Sequence, residues 1–201
     1  LKVLDFAKEL FYIDYIKNRL QDKQDLKLDY DLKDILSHIG FELTRSQLIA
    51  LKEILNDCSG DFVMNRLLIG DVGSGKTIVA IIVMIVFALN GYQSVMMVPT
   101  EVLAIQQYEK NLALIESFGL KSMVLTGSSK NKDKIKNDLK NGNIDIIIGT
   151  HALIQDDVKF NSLKLAINDE QHRFGVEQRQ GLSLKANGVN YLSMTATPIP
   201  R

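Results

Sequence analysis

Residues 66–89 read RLLIGDVGSGKTIVAIIVMIVFAL, and this stretch decides the fold. The short segment 66–69 predicts a buried strand, and the continuous apolar run after Lys76 predicts a buried helix. Between them, residues 70–77 fit the pattern G-x-x-x-x-G-K-S/T, in which backbone N–H groups surround phosphates while a lysine and a hydroxyl complete the site. A strand, a glycine loop and a helix in this order predict a nucleotide-binding α/β domain.

Each residue type in this loop has its own part in holding a nucleoside triphosphate. Gly73 and Gly75 let the backbone approach the phosphates, and the helix that starts near Lys76 points its positive end at them. We expect Lys76 to be catalytic by reaching the β- and γ-phosphates, and Thr77 to hold Mg²⁺ through its hydroxyl. The loop residues predicted to bind the nucleotide are Gly70, Asp71, Val72, Gly73, Ser74, Gly75, Lys76 and Thr77.

An acidic pair follows a second predicted buried strand. We expect Asp169 to be the second Mg²⁺ ligand, through water, because Mg²⁺ keeps much of its hydration. Glu170 is expected to orient or deprotonate the attacking water. Alone, such a pair would be most simply a solvated turn, but behind a matched phosphate loop it favours a hydrolytic site. The polar Asn168 just before the pair has no functional interpretation from the sequence.

A weaker signal lies upstream of the loop. The amide of Gln47 can both donate to and accept from the edge of adenine, and Phe41 can stack on the ring. Gln47 also follows Thr44 by three residues, which is the spacing of a capping box at a helix start. The two interpretations are compatible, so both residues are predicted to bind the nucleotide.

The rest of the chain alternates predicted strands and helices. This alternation predicts a mostly parallel central sheet covered by helices on both faces, preceded by a short N-terminal helical segment. The further strands are predicted at 94–98, 122–125, 144–148, 163–167 and 191–194. The further helices are predicted at 1–20, 35–39 (closed by Gly40), 48–55, 101–118 and 130–140.

Composition limits the function classes. Lys+Arg and Asp+Glu are equal at 24 each, so any nucleic-acid contact must rest on a local surface rather than on net charge. The single cysteine, Cys58, excludes an internal disulfide. The longest apolar run, 78–89, is too short to span a bilayer. Because the chain begins without Met and stops just after a motif, we expect it to be a fragment.

Taken together, the motifs resemble those of the superfamily 2 helicases, and within them the RecG family of bacterial branched-DNA translocases. Ser74 and Gln171 favour RecG over the Mfd family of transcription-repair coupling translocases, in which Phe and Glu are usual at these positions. The matching pieces are 64–68 before the loop, 98–104 with Gln106 and Gln107, 149–155, 169–179 and 193–201.

The resemblance implies a RecA-like P-loop NTPase fold and a division into two parts. Residues 1–40 would be a helical connector to an absent N-terminal wedge domain, and 41–201 the first motor lobe, with the second lobe absent. The implied function is the ATP-binding lobe of an ATP-dependent DNA helicase that remodels replication forks and Holliday junctions in recombination and repair. The alternatives are an Mfd-like lobe or a nucleotide-dependent binding switch.

The resemblance also implies ligands and further site residues. ATP and Mg²⁺ are the expected cofactors. Branched or duplex DNA is the expected partner of the full-length protein, and single-strand DNA-binding protein is a further candidate. We expect a monomer without membrane contact, in the bacterial cytoplasm at the nucleoid.

The residues implied to contact DNA are Pro99, Thr100, Glu101, Thr126, Gly127, Gly149, Thr150 and His151. Those implied to couple nucleotide state to DNA grip are Gln171, His172, Thr195, Ala196 and Thr197.

The fragment alone is expected to be nearly inactive. Motors of this kind place an arginine of the second lobe across the nucleotide, and its loss costs on the order of 10³ or more in rate. We therefore expect weak nucleotide binding and negligible DNA-stimulated turnover.

Overall fold

The fold is built on one six-stranded sheet in which every pair of neighbouring strands is parallel. The structure, a computed structural model, describes residues 25–170 and 185–196, and only the backbone of Glu170. The strands are β1 Asn65–Ile69, β2 Gln93–Met97, β3 Ser122–Leu125, β4 Ile146–Gly149, β5 Leu163–Glu170 and β6 Asn190–Thr195. They lie in the order β1-β6-β5-β2-β4-β3, so the strand before the phosphate loop and the strand with the acidic pair flank β6.

Helices cover both faces of this sheet. They are α1 Leu32–Ser37, α2 Arg45–Cys58, α3 Lys76–Leu89, α4 Glu101–Glu116 and α5 Lys132–Lys140, with a 3₁₀ turn at His151–Ile154. The helices α1 to α4 contribute to the hydrophobic core on one face, whereas α5 and the 3₁₀ turn contribute to the core on the other. The predicted α/β class with helices on both faces is therefore confirmed.

The apolar run of α3 is explained by its position. Every residue from Val79 to Ala88 is buried, because this helix packs on the sheet and also contacts α2. A helix that is hydrophobic all round is stable in water only in such a place. Its burial fixes the end of the helix that carries Lys76 relative to the strand edge.

Every element predicted within the described residues is present, with ends that differ from the prediction by at most three residues. Two of these differences have a clear physical cause. The helix expected at 35–39 ends at Ser37, and His38 rather than Gly40 caps it, because the His38 N–H donates to the carbonyl oxygens of the last turn. Strand β5 continues to Glu170, beyond the predicted 167, because β6 pairs with it as far as Thr195. The helix predicted at 1–20 lies outside the described residues.

The segment just before α2 packs on the same core as the helices that follow it. Leu26, Ile35 and Ile39 are buried in the same core as α2 and α3. Asp29 exchanges two backbone–side-chain hydrogen bonds with Asn90, of 2.8 and 2.9 Å, at the end of α3. Residues 25–40 thus run from the far end of α3 to the phosphate loop side of the molecule.

The carboxyl ends of the parallel strands meet at one edge of the sheet, and the motifs lie there. Ile69 and Glu170 both pair with Thr195, and Met97 and Leu125 both pair with Gly149. Loops that are far apart in sequence are therefore neighbours at this edge, which is where open α/β sheets bind their ligands.

Candidate functional site

One cavity of about 600 Å³ opens at this edge. Its walls come from the segment before α2, the phosphate loop, the start of α3, the ends of β2, β5 and β6, and one face of α4. The predicted site residues that line it are Phe41, Gln47, Val72, Gly73, Gly75, Lys76, Thr77, Pro99, Asp169 and Ala196. The structure thus brings together residues that are more than 100 positions apart in the sequence.

The phosphate loop is held open by backbone conformations that favour glycine. Gly73 and Gly75 have φ of +82° and +81°, in the left-handed region. Gly75 caps α3, and among the described residues no side chain bonds to the first N–H groups of that helix. These N–H groups and the positive helix end are therefore available to an anion.

Lys76 is folded back on its own loop. Its ammonium group donates to the carbonyl oxygens of Gly70 at 2.5 Å and Asp71 at 2.8 Å. These two contacts hold the positive charge next to the loop backbone, and the cavity that Lys76 lines is open to a ligand with negative charge.

Gln47 forms the predicted capping box and also touches the phosphate loop. Its Oε1 accepts from the Thr44 N–H at 2.8 Å, and its own N–H donates to the Thr44 hydroxyl oxygen at 3.3 Å. The same side chain donates from Nε2 to the Ser74 carbonyl oxygen at 2.8 Å. Phe41 is 58% exposed on the cavity wall beside it, so its ring is available for stacking.

Asp169 faces the same cavity from the end of β5. Burial raises the pKa of its carboxyl group above the ordinary value, and the nearby positive charge of Lys76 opposes that rise. The neighbouring strand places Thr195 and Ala196 beside it. For Glu170 only the backbone position is described, and Gln171, His172 and Thr197 lie outside the described residues.

The donor set fits a magnesium nucleotide. Thr77 supplies a hydroxyl and Asp169 a half-buried carboxylate, the oxygen ligands that Mg²⁺ prefers. Both line one cavity with Lys76 and an uncapped helix end, which suit the phosphates.

The residues expected to contact DNA form two groups in the structure. Thr100, Gly127 and His151 are exposed at the carboxyl edge, whereas Thr126, Gly149 and Thr150 are buried. Thr100 caps α4, since its hydroxyl oxygen accepts from the Leu103 N–H at 3.3 Å. Pro99 lines the nucleotide cavity, so this residue lies between the two candidate surfaces.

Sequence reasoning missed the wall that α4 contributes. The cavity is also lined by five residues of α4, Leu103, Gln107, Lys110, Asn111 and Leu114. Leu103, Gln107, Lys110 and Leu114 follow one another at steps of three or four residues, which marks one helix face. That pattern could have identified the face, but not the cavity toward which it points.

Comparison with known proteins decides the family. A family model described as DEAD/DEAH box helicase matches residues 44–201. The chain belongs to the DEAD/DEAH box helicase family. No described helix of this helicase chain has the length and apolar character needed to cross a membrane.

Curated relatives agree with the resemblance seen in the motifs. The helicase chain is 50% identical over 193 residues to the ATP-dependent DNA helicase RecG of Staphylococcus epidermidis (strain ATCC 12228), covering 92% of this chain and 28% of the relative. It is 50% identical over 191 residues to RecG of Staphylococcus aureus (strain N315), with the same shares covered. The chain therefore spans just over a quarter of the length of these relatives.

Solved structures confirm the RecA-like helicase fold. A structure of RecG bound to a three-way DNA junction is similar with a TM-score of 0.78 and 42% identity, covering 97% of this chain and 27% of that one. The DUF1998 helicase MrfA is similar in fold, with a TM-score of 0.65 at 20% identity, covering 88% of this chain and 30% of that one. The predicted resemblance to RecG is thus confirmed.

Proposed function

We propose that this helicase lobe is the first of two motor lobes in a RecG-type protein that uses ATP hydrolysis to remodel replication forks and Holliday junctions in recombination and repair. The observation that carries the proposal is the convergence of Lys76, Thr77 and Asp169 in one cavity at the carboxyl edge. The relatives are more than three times as long as this chain, which leaves room for a second lobe and a DNA-reading domain.

Each of these residues has a separate role in the proposed phosphoryl transfer. The Lys76 ammonium neutralises phosphate charge, and the first N–H groups of α3 bind the phosphate oxygens. Bound Mg²⁺ would neutralise further charge and would be held by Thr77 and, through water, by Asp169. Glu170, next to Asp169 on β5, orients the attacking water. Phe41 and Gln47 form the base-binding part.

DNA would lie on the exposed loops beside this cavity. Backbone N–H and hydroxyl groups at these loops suit phosphate contact without base reading. A junction-bound RecG structure at 42% identity supports branched DNA as the ligand of the full-length protein.

We further propose that a protein acting on such DNA works in the bacterial cytoplasm at the nucleoid. We also propose that it is a monomer, with single-strand DNA-binding protein as a candidate partner, which light scattering and co-sedimentation would test.

No finding favours the alternatives of an Mfd-like lobe or a nucleotide-dependent switch. A switch that binds GTP would need the guanine-reading pattern Asn-Lys-x-Asp. Residues 131–134 of this chain read Asn-Lys-Asp-Lys and lack the final carboxylate. Competition binding separates the switch from the motor lobe. GTP that displaced labelled ATP with equal potency would favour the switch.

The test of the proposal is DNA-stimulated ATP hydrolysis by the full-length protein with fork, linear and single-stranded DNA. Glu170→Gln should lower the stimulated rate by about 10²- to 10⁴-fold, because water activation contributes roughly that much. Glu109→Gln on the exposed side of α4 is the matched control and should keep the wild-type rate. Unchanged turnover in Glu170→Gln would remove Glu170 from catalysis. A rate from residues 1–201 alone equal to that of the full-length protein would refute the two-lobe site.

A further inference from the structure

The first residue of α4, Glu101, directs its carboxylate at the loop that follows β3. One oxygen, Oε1, accepts from the backbone N–H of Ser128 at 3.1 Å. The other oxygen accepts a short hydrogen bond from the Ser128 hydroxyl. Both carboxylate oxygens therefore bind a single residue of a loop that is 27 positions away in the sequence.

Other contacts fix the same loop, which we define as residues 126–130. The Thr126 N–H donates to the Ser129 hydroxyl oxygen at 2.8 Å, and the Ser129 N–H donates to the Thr126 carbonyl oxygen at 3.3 Å. The Lys132 ammonium donates to the Gly127 carbonyl oxygen. One negative and one positive side chain thus hold neighbouring residues of this loop in place.

Gly127 makes this close approach possible. A Cβ atom at this position would lie 2.7 Å from Glu101 Oε1, which is closer than side-chain carbons come to oxygen. An alanine would therefore push the carboxylate away from Ser128. The glycine is explained by the approach of Glu101, without any need for an unusual backbone conformation.

The two hydrogen bonds from Ser128 to the Glu101 carboxylate, which we call the clamp, also determine which backbone N–H of the loop remains available. The Ser128 N–H is occupied by Glu101. Within the described residues, the N–H of the exposed Gly127 has no hydrogen-bond partner. That N–H is therefore a donor that the loop can offer to an anion, and its direction depends on the clamp.

We propose that Glu101 is a positioning residue, which does not contact DNA itself but orients the 126–130 loop for contact with a DNA phosphate. A carboxylate repels phosphate, and both of its oxygens already accept hydrogen bonds. The inference rests on the proposed function insofar as this loop meets DNA. It changes the role expected for Glu101 from direct contact to support of its neighbour.

The clamp itself is tested without DNA, by amide hydrogen exchange in the 201-residue chain. Glu101→Ala should raise the exchange rate of the Ser128 amide by roughly tenfold or more, since hydrogen bonds to charged groups are the stronger ones. Gly127→Ala should have the same effect, whereas Glu109→Gln on the same helix should have none. Unchanged Ser128 protection in Glu101→Ala would overturn the inference.

The role in DNA binding is tested by titrating fork DNA into the ATPase assay of the full-length protein. Glu101→Ala should raise the DNA concentration for half-maximal stimulation more than it lowers the maximal rate, and Glu101→Gln should restore part of the loss. Ser128→Ala should add less to Glu101→Ala than it costs alone, because both remove one contact. If Glu101→Ala loses protection of the Ser128 amide but needs the same DNA concentration for half-maximal stimulation as the wild type, the positioning role is refuted. The ATP site proposal would stand in that case. Tighter DNA binding by Glu101→Ala would overturn it as well, since Glu101 would then only repel DNA.

Discussion

Two glycines of the phosphate loop share a backbone conformation but differ in their surroundings. Gly73 and Gly75 both have φ near +80° (82° and 81°). A Cβ at Gly73 would meet no atom within 4 Å, whereas a Cβ at Gly75 would lie 2.2 Å from Gln47 Nε2. Replacing each with alanine therefore separates backbone strain from the Gln47 contact.

The expected magnitudes follow from these distances. Alanine in the left-handed region costs about 1 to 2 kcal/mol, so Gly73→Ala should lower the free energy of unfolding by about that amount. Gly75→Ala carries the same strain and also displaces Gln47, which breaks its hydrogen bond to the Ser74 carbonyl oxygen. That bond contributes about 1 kcal/mol, so Gly75→Ala should cost roughly 2 to 3 kcal/mol.

Urea denaturation of the 201-residue chain and of the two variants measures this difference. Adding Gln47→Ala should cost less in the Gly75→Ala background than in the wild type, because the contact is already lost there. With Gly73→Ala, the cost of Gln47→Ala should be unchanged. Equal destabilisation by the two glycine variants would refute the argument that Gln47 braces the phosphate loop.

Two further predictions concern one half-buried and one buried polar side chain. Burial raises the pKa of Asp169 because it disfavours the ionised carboxylate. The free energy of unfolding therefore falls as the pH rises from the ordinary pKa of an aspartate through the raised value. Asp169→Asn should therefore raise the melting temperature at pH 7.5 and lose that advantage as pH falls; a difference independent of pH would contradict this. Gln93 is 3% exposed and makes four hydrogen bonds to backbone groups, of 2.9, 2.7, 2.7 and 3.1 Å. Gln93→Leu should cost about 3 kcal/mol or more in urea denaturation, and the exposed Gln106→Leu little, while equal costs would contradict the structural role.

Much of the fold could be predicted because its local signals agree with its packing. The strand, glycine loop and apolar helix around Lys76 are consistent at every level, so their boundaries match to within a residue. The end of α1 was harder, since Gly40 is a common helix stop but the turn closes earlier through His38. The 3₁₀ turn at His151–Ile154 has no periodicity that a sequence pattern can detect.

The candidate site was predictable where chemistry fixes residue type and order, as at Lys76, Thr77 and Asp169. It was not predictable where tertiary contact decides. Nothing in the sequence shows that Glu101 reaches Ser128. Glu101 follows β2 and Ser128 follows β3, and these two strands come near each other only because both pair with β4. The α4 wall of the cavity was missed for the same reason.

The central claim is that the cavity binds the phosphates of ATP through Lys76. Titrating Mg²⁺ and a fluorescent ATP analogue into the 201-residue chain tests it directly, with Lys76→Ala compared against Lys52→Ala, an exposed lysine on α2. A hydrogen bond to a charged group contributes about 1.5 to 3 kcal/mol, so Lys76→Ala should weaken binding roughly 10- to 100-fold and Lys52→Ala should leave it unchanged. Equal affinity in the wild type and Lys76→Ala would contradict the account.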